Sequence, residues 1–250
     1  MCKHIKLNNM KTVKTLILVS LVLLVFFSCK NNQKEKTETT VETEMEPATE
    51  PTTHIAPIFE NEYATVTKVS LAPGQEQELH QGGQRLIYSL NDYTISWVEN
   101  GEDLGEKSWK KGEVHSHKPG AHKANNMGAE PAEWLVFTRT ETELPTCEDY
   151  DSGKDVNSVK PESTLVLVDD DFFKALEVSL SPGESIPDHN GINRIVYALN
   201  DYTIEYTSDK AGVANKSFKK GDVHWHEACT HSLKNTGSTD AKFIVVVYKK

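Results

Sequence analysis

Val69-Ser-Leu-Ala-Pro-Gly74 returns as Val178-Ser-Leu-Ser-Pro-Gly183. Leu90-Asn-Asp-Tyr-Thr-Ile95 returns as Leu199-Asn-Asp-Tyr-Thr-Ile204, and Lys110-Lys-Gly112 as Lys219-Lys-Gly221. The offset is 109 each time, and laying 59–140 on 168–249 without a gap gives 28 identities in 82 positions. Most differences exchange like for like, as Trp97 with Tyr206 and Trp109 with Phe218. One folding unit is therefore written twice. The stretch between the copies, 141–162, is Glu, Asp, Ser, Pro and Gly with few apolar groups, as expected of a surface connection.

Within each copy the apolar period is two rather than 3.6. Arg85-Leu-Ile-Tyr-Ser-Leu90 and Arg194-Ile-Val-Tyr-Ala-Leu199 read as buried strands, and Trp134–Thr138 and Phe243–Tyr248 as closing strands. Asn91-Asp92, between Arg85–Leu90 and Tyr93–Val98, predicts a tight hairpin turn, because Asn and Asp tolerate positive φ. Pro73-Gly74 and Lys111-Gly112 punctuate further turns. Helical periodicity is absent. Short strands at close spacing in about 82 residues predict an all-β unit, a small closed barrel or sandwich.

A hydrophobic fraction of 37% excludes a wholly disordered chain. The net charge is −10, and the first 28 residues hold four Lys and no acid, so the remainder carries 23 basic against 37 acidic groups. Such a surface repels phosphate backbones and excludes nucleic acid as a partner. Four cysteines do not make a disulfide scaffold. Cys147 and Cys229 can pair in an oxidising compartment, tying the linker to the second unit.

At the N-terminus, Met10-Lys-Thr-Val-Lys14 precedes about a dozen apolar residues and then Ser28-Cys29. That is the layout of a signal peptide, 1–28, with a start at Met1 or Met10. The apolar run is short of the roughly 20 residues that span a bilayer. Residues 29–53 are too polar to fold and read as a disordered tether of about 27 Å reach. The units themselves fall at 54–140 and 163–250. Phe26-Phe27-Ser28-Cys29 resembles a bacterial lipobox, which implies acylation of Cys29 and membrane attachment. Lys30, not Asp, follows the cysteine, which by the same resemblance directs the protein to the outer membrane of the cell envelope.

Gly221-Asp-Val-His-Trp-His-Glu-Ala-Cys-Thr-His231-Ser-Leu-Lys-Asn235-Thr-Gly237 resembles the second motif of the cupin superfamily, with one residue fewer before the His. Pro182-Gly-Glu-Ser-Ile-Pro-Asp-His189 resembles the first. The likeness covers both copies and implies two tandem cupin domains, small jelly-roll-like β-barrels. A narrower likeness, through Leu-x-Asp-x-Thr and Ala-x-x-His-x-x-x-Asn, is to small cupins associated with beta-alanine degradation.

Eight of the ten His stand at offset 109: His80 with His189, His115 with His224, His117 with His226, and His122 with His231. Two thirds of the aligned positions have diverged and these four have not. In the cupin pattern His80 and His122, and His189 and His231, converge inside a barrel and hold one divalent metal. Imidazole suits Zn, Fe, Ni, Cu or Mn, and such a metal usually wants three protein ligands. The chain departs from the pattern at Gly82 and Gly191, where it has a second His, and at Arg85 and Arg194, where it has a Glu. His117 and His226 would complete a three-His set if His115-Ser-His117 and His224-Trp-His226 faced inward; parity leaves either face open. Arg85 and Arg194 would bind a ligand carboxylate, with His115 and His224 beside them, or pair with Asp92 and Asp201. Tyr88, Tyr197, Trp97 and Tyr206 read as core or rim packing.

Three functions follow. The first is an envelope-anchored bicupin binding a small polar or anionic molecule, with or without a divalent metal in each barrel. The second is a metal-dependent dioxygenase, isomerase or lyase acting on a small acid. The third is an interaction lipoprotein. The broken ligand set favours the first or third, and the histidine register the first or second.

Overall fold

The computed structural model describes residues 53–249 apart from 149, 192, 211, 227 and 228. The signal peptide, the lipobox cysteine and nearly all of the tether expected from the sequence lie outside them. The first copy forms β1 (His54–Glu60), β2 (Ala64–Leu71), β3 (Glu76–Gly82), β4 (Arg85–Ser89), β5 (Tyr93–Glu99), β6 (Glu102–Trp109), β7 (Val114–His117), β8 (Gly120–Asn126) and β9 (Ala132–Arg139). A single helical turn, α1 (Val156–Val159), precedes the second copy. That copy forms β10 (Thr164–Asp169), β11 (Phe173–Leu180), β12 (Ser185–Gly191), β13 (Arg194–Ala198), β14 (Tyr202–Ser208), β15 (Gly212–Phe218), β16 (Val223–His226), β17 (Cys229–Asn235) and β18 (Ala241–Tyr248).

Each copy closes as two antiparallel sheets. One has the order β1-β2-β9-β4-β7, the other β3-β8-β5-β6, and the second copy repeats both as β10-β11-β18-β13-β16 and β12-β17-β14-β15. The expected hairpin at Asn91-Asp92 is not one. β4 pairs with β7 and β9, whereas β5 pairs with β6 and β8, so the chain crosses between sheets at this corner. Side chains hold the corner instead of a turn bond. Asn91 Nδ2 donates to Pro131 O (2.7 Å), the Glu133 amide donates to Asn91 Oδ1 (2.9 Å), and the Lys111 amide donates to Asp92 Oδ1 (2.9 Å).

β4 and β13 are buried along their whole length. Both faces of these strands are covered, so their apolar runs show no alternation. Leu86 and Tyr88 on one strand, and Ile195 and Tyr197 on the other, join one core shared by both copies with Phe137, Phe173, Ile244 and Tyr248. Tyr63 stacks on Trp225 across the same junction at 5.4 Å, and Ser116 Oγ donates to Asp170 (2.7 Å). Since alternate residues of a strand face opposite ways, committing Leu86 and Tyr88 to this junction turns Arg85 and Ile87 into the barrel. The same parity turns Arg194 and Val196 inward.

Candidate functional site

Register decides what surrounds those arginines. β7 lies against β4 with His117 opposite Arg85 and His115 opposite Ile87; β16 lies against β13 with His226 opposite Arg194 and His224 opposite Val196. Cross-strand partners share a face, so both His-x-His pairs point inward. From the other sheet His80 opposes His122, and His189 opposes His231. All eight repeat-register histidines and both arginines line two cavities, of about 690 Å³ in the first barrel and about 310 Å³ in the second.

The imidazoles are held in defined orientations. His80 and His122 stand 4.1 Å apart by ring centroid, His189 and His231 4.0 Å. His189 Nδ1 is bonded to Pro187 O (2.9 Å) and His80 Nδ1 to Glu78 O (2.8 Å), which places the proton on Nδ1; His80 Nε2 then accepts from Gln77 Nε2 (3.4 Å). His115 stacks on Trp109 at 3.6 Å and His224 on Phe218 at 4.4 Å. Burial, aided by the neighbouring arginine, pushes His231 down to about 2 and His122 to about 4. Burial also takes His115 to about 3, and His189 and His224 to about 4. These rings are neutral at physiological pH.

The arginines are the unusual members. Arg85 is 2% exposed and Arg194 5%. Neither pairs with the aspartate considered from sequence: Asp92 is held by Lys110 and Asp201 by Lys219. Arg85 Nη1 donates to Gly83 O and Lys118 O (both 3.1 Å), and Glu99 lies 3.7 Å from its Nη2. The position equivalent to Glu99 in the second barrel is Ser208, which carries no charge. Arg194 Nη2 donates to His231 Nε2 (2.7 Å), the Tyr206 phenol supports its charge, and its buried Nη1 has no hydrogen-bond partner. Arg85 Nε and Nη2 are likewise without one. Burial lowers both arginines from their ordinary value. No acid partner of Arg194 exists among the described residues.

The glycines at the departed motif positions explain how a guanidinium fits. A Cβ at Gly191 would stand 2.2 Å from Arg194 Nη1 and 2.7 Å from His231 Cε1; one at Gly82 would stand 2.7 Å from Arg85 Nη1 and 2.6 Å from His122 Cε1. A side chain at either glycine and the neighbouring guanidinium would compete for one space. Among the described residues, no three His, Cys, Asp or Glu side chains are grouped as a metal site. His226 and His231 are 6.5 Å apart by centroid, and in the second barrel the His231 lone pair is already taken by a fixed cation. As arranged, the donors of the second barrel do not fit a tightly held divalent ion.

Glu99 and the linker residues were not legible as site contributors, and Trp97, read as packing, borders the imidazoles. Glu99 touches His117 Nδ1 at 3.3 Å as well as Arg85, and its replacement by Ser208 was the signal available. Trp97 packs on His117 and His122, at 5.1 and 5.0 Å. The linker, expected only to connect, lends Tyr150, Asp155 and Val156 to the second cavity.

Two face-to-face antiparallel sheets enclosing an imidazole-lined cavity, repeated once, define a tandem jelly-roll barrel. No family model and no curated protein matches the sequence. Among solved structures, AerE from Microcystis aeruginosa is similar over 78% of this chain and 97% of its own, with 16% identity and a TM-score of 0.57. Oxalate decarboxylase from Bacillus subtilis at pH 4.6 is similar over 74% of this chain and 68% of its own, with 14% identity and a TM-score of 0.55. That enzyme has Mn(II) centres. The fold is the cupin fold, present twice.

Proposed function

We propose that this chain is an envelope-anchored tandem cupin that binds a small organic anion in each barrel, with an arginine supplying the positive charge. The observation that carries this reading is Arg194: a residue of the cavity lining, buried, without an acid partner among the described residues, and with a buried Nη1 that has no hydrogen-bond partner. An isolated buried charge is costly, and a planar carboxylate is the partner a guanidinium fork matches best. Neutral imidazoles beside it supply N–H donors without repelling a cation. His115 and His224, in the lining of the two cavities, are the residues for that role.

Attachment to the outer membrane through an acylated Cys29 is the second part of the proposal and rests on the N-terminal sequence. The tether then keeps the barrels within a few nanometres of the bilayer. Calorimetric titration of the detergent-solubilised full chain with acetate and with phosphate tests the first part. Saturable binding lost in Arg194→Gln supports it, and no heat with either anion removes it. Elemental analysis of the same preparation should find well under one divalent metal per barrel; a stoichiometric metal would restore the three-His reading. Cys29→Ser should move the protein from the membrane to the soluble fraction, and unchanged fractionation counts against the lipid.

A further inference from the structure

The two cavities differ, although one repeat builds both. Leu176, Ile186 and Val247 line the second, where the first has Thr67, Gln77 and Thr138. The second is less than half the volume of the first. Linker residues border it: Tyr150, Asp155 and Val156 line its wall, and the Asp151 amide donates to Asn190 Oδ1 on β12 (2.9 Å). Two further cations reach this cavity. Lys174 is bonded to Asp155, and Lys249 to Asp169. That leaves Arg194 as the charge without an acid among the described residues, in the wall of a largely apolar chamber.

We infer that the second barrel selects an amphipathic monocarboxylate, a single carboxylate on a compact hydrocarbon body, and rejects dianions. This deepens the anion reading and rests on it. The carboxylate pairs with the Arg194 guanidinium. The hydrocarbon lies against Leu176, Ile186, Phe243 and Val247. A volume of about 310 Å³ holds on the order of ten non-hydrogen atoms, at about 30 Å³ for each water-sized volume. A second carboxylate would meet those aliphatic walls, with Lys174 and Lys249 already paired to Asp155 and Asp169, and an unpaired ion there is strongly disfavoured. The wider first barrel keeps apolar residues such as Ile87, Ile95 and Trp134, but Thr67, Gln77, Thr138 and Glu99 interrupt that lining, and it does not share the selectivity.

The test is calorimetric titration of the full chain carrying Arg85→Gln, so that the second barrel dominates the signal. The probes are acetate, butanoate, hexanoate and octanoate, with hexan-1-ol and adipate as comparators. Each added CH₂ should tighten binding about fourfold until the chamber fills. Hexan-1-ol and adipate should bind at least tenfold more weakly than hexanoate, and Arg194→Gln should weaken hexanoate by a similar factor. Ile186→Gln, which installs the first barrel's residue, should weaken hexanoate while sparing acetate, with a thermal melt confirming the fold. Adipate binding as tightly as hexanoate, or no dependence on chain length, overturns the selectivity and leaves the anion reading standing. Failure of every carboxylate and of phosphate to bind the unmutated protein overturns the anion reading itself.

Discussion

Arg194 and His231 are joined by a 2.7 Å hydrogen bond from Nη2 to Nε2, inside a barrel where the buried arginine has no acid partner among the described residues. In a fold where imidazoles can gather around a metal, the chain has built the cation into its own backbone register. The guanidinium cannot leave, cannot be deprotonated at any working pH, and offers a planar fork rather than an open coordination sphere.

Removing the charge should stabilise the ligand-free protein. A buried ion without a counter-ion costs several kcal/mol, and replacing buried ions by apolar groups of similar volume is often stabilising by about 1–4 kcal/mol. Arg194→Met keeps the stem and deletes the charge. Denaturant unfolding without added anion should show a raised midpoint, while added carboxylate should stabilise the unmutated protein and not the variant. A lowered midpoint for the variant would mean that His231 and Tyr206 already compensate the guanidinium.

Gly191→Ala should act on the site directly. Its Cβ would fall 2.2 Å from Arg194 Nη1, forcing the guanidinium off His231, at a cost of about 1–3 kcal/mol for overpacking. Anion binding should fall at least tenfold. Gly183→Ala is the control: its φ of 82° makes alanine strained there, yet no atom lies within 4 Å of the added carbon. It should lower stability by about 1 kcal/mol and leave binding unchanged. Equal binding losses in the two variants would show that the effect is general destabilisation.

The repeat, its strands and the fourfold histidine register could be read from residues alone, because period-two patterning and a constant offset are local properties. What could not be read depended on pairing. His115 and His117 face inward because β7 docks on β4 opposite Arg85 and Ile87, whose own direction is set by the junction holding Leu86 and Tyr88. No single strand contains that information. The Asn91-Asp92 corner failed for a related reason: the residues suit a turn, and only the sheet assignment of their neighbours tells a hairpin from a crossing. The space under each guanidinium was visible as Gly82 and Gly191, and its meaning appeared once the distances were known.

Acid should destabilise the fold through the imidazoles. Their folded-state values, about 2 for His231, about 3 for His115 and about 4 for His122, His189 and His224, all lie below the 6.5 of the unfolded chain. The unfolded state therefore binds protons first. The stability these groups contribute is complete above about pH 6.5 and is lost progressively as pH falls towards 4 and below. Unfolding at pH 5 should take up about four protons or more, measurable by calorimetry in buffers of different ionisation heat. His224→Phe should reduce the uptake by about one. Uptake near zero would place these rings in water.

The last expectation concerns the linker. The Cys147 thiol donates to Cys229 Sγ at 3.0 Å, and both cysteines are free. Burial, together with that neighbour, pushes the Cys229 thiol up to about 11, so its thiolate is scarce at neutral pH and spontaneous pairing should be slow. Treatment with glutathione disulfide above pH 8 should form the intramolecular bond by exchange, with loss of both thiols and release of reduced glutathione. The bond closes a loop of about 80 residues and should raise unfolding stability by up to about 4–5 kcal/mol in the chain-entropy description. Cys147→Ser should abolish the gain. Because the pinned segment leads into Tyr150 and Asp155 at the second cavity, oxidation should also slow exchange of a bound carboxylate there. Thiol titration and a non-reducing gel check the bond, and stopped-flow displacement of hexanoate checks the exchange. Oxidation that leaves both the melting midpoint and the displacement rate unchanged would show that the segment around Cys147 does not hold the cavity wall.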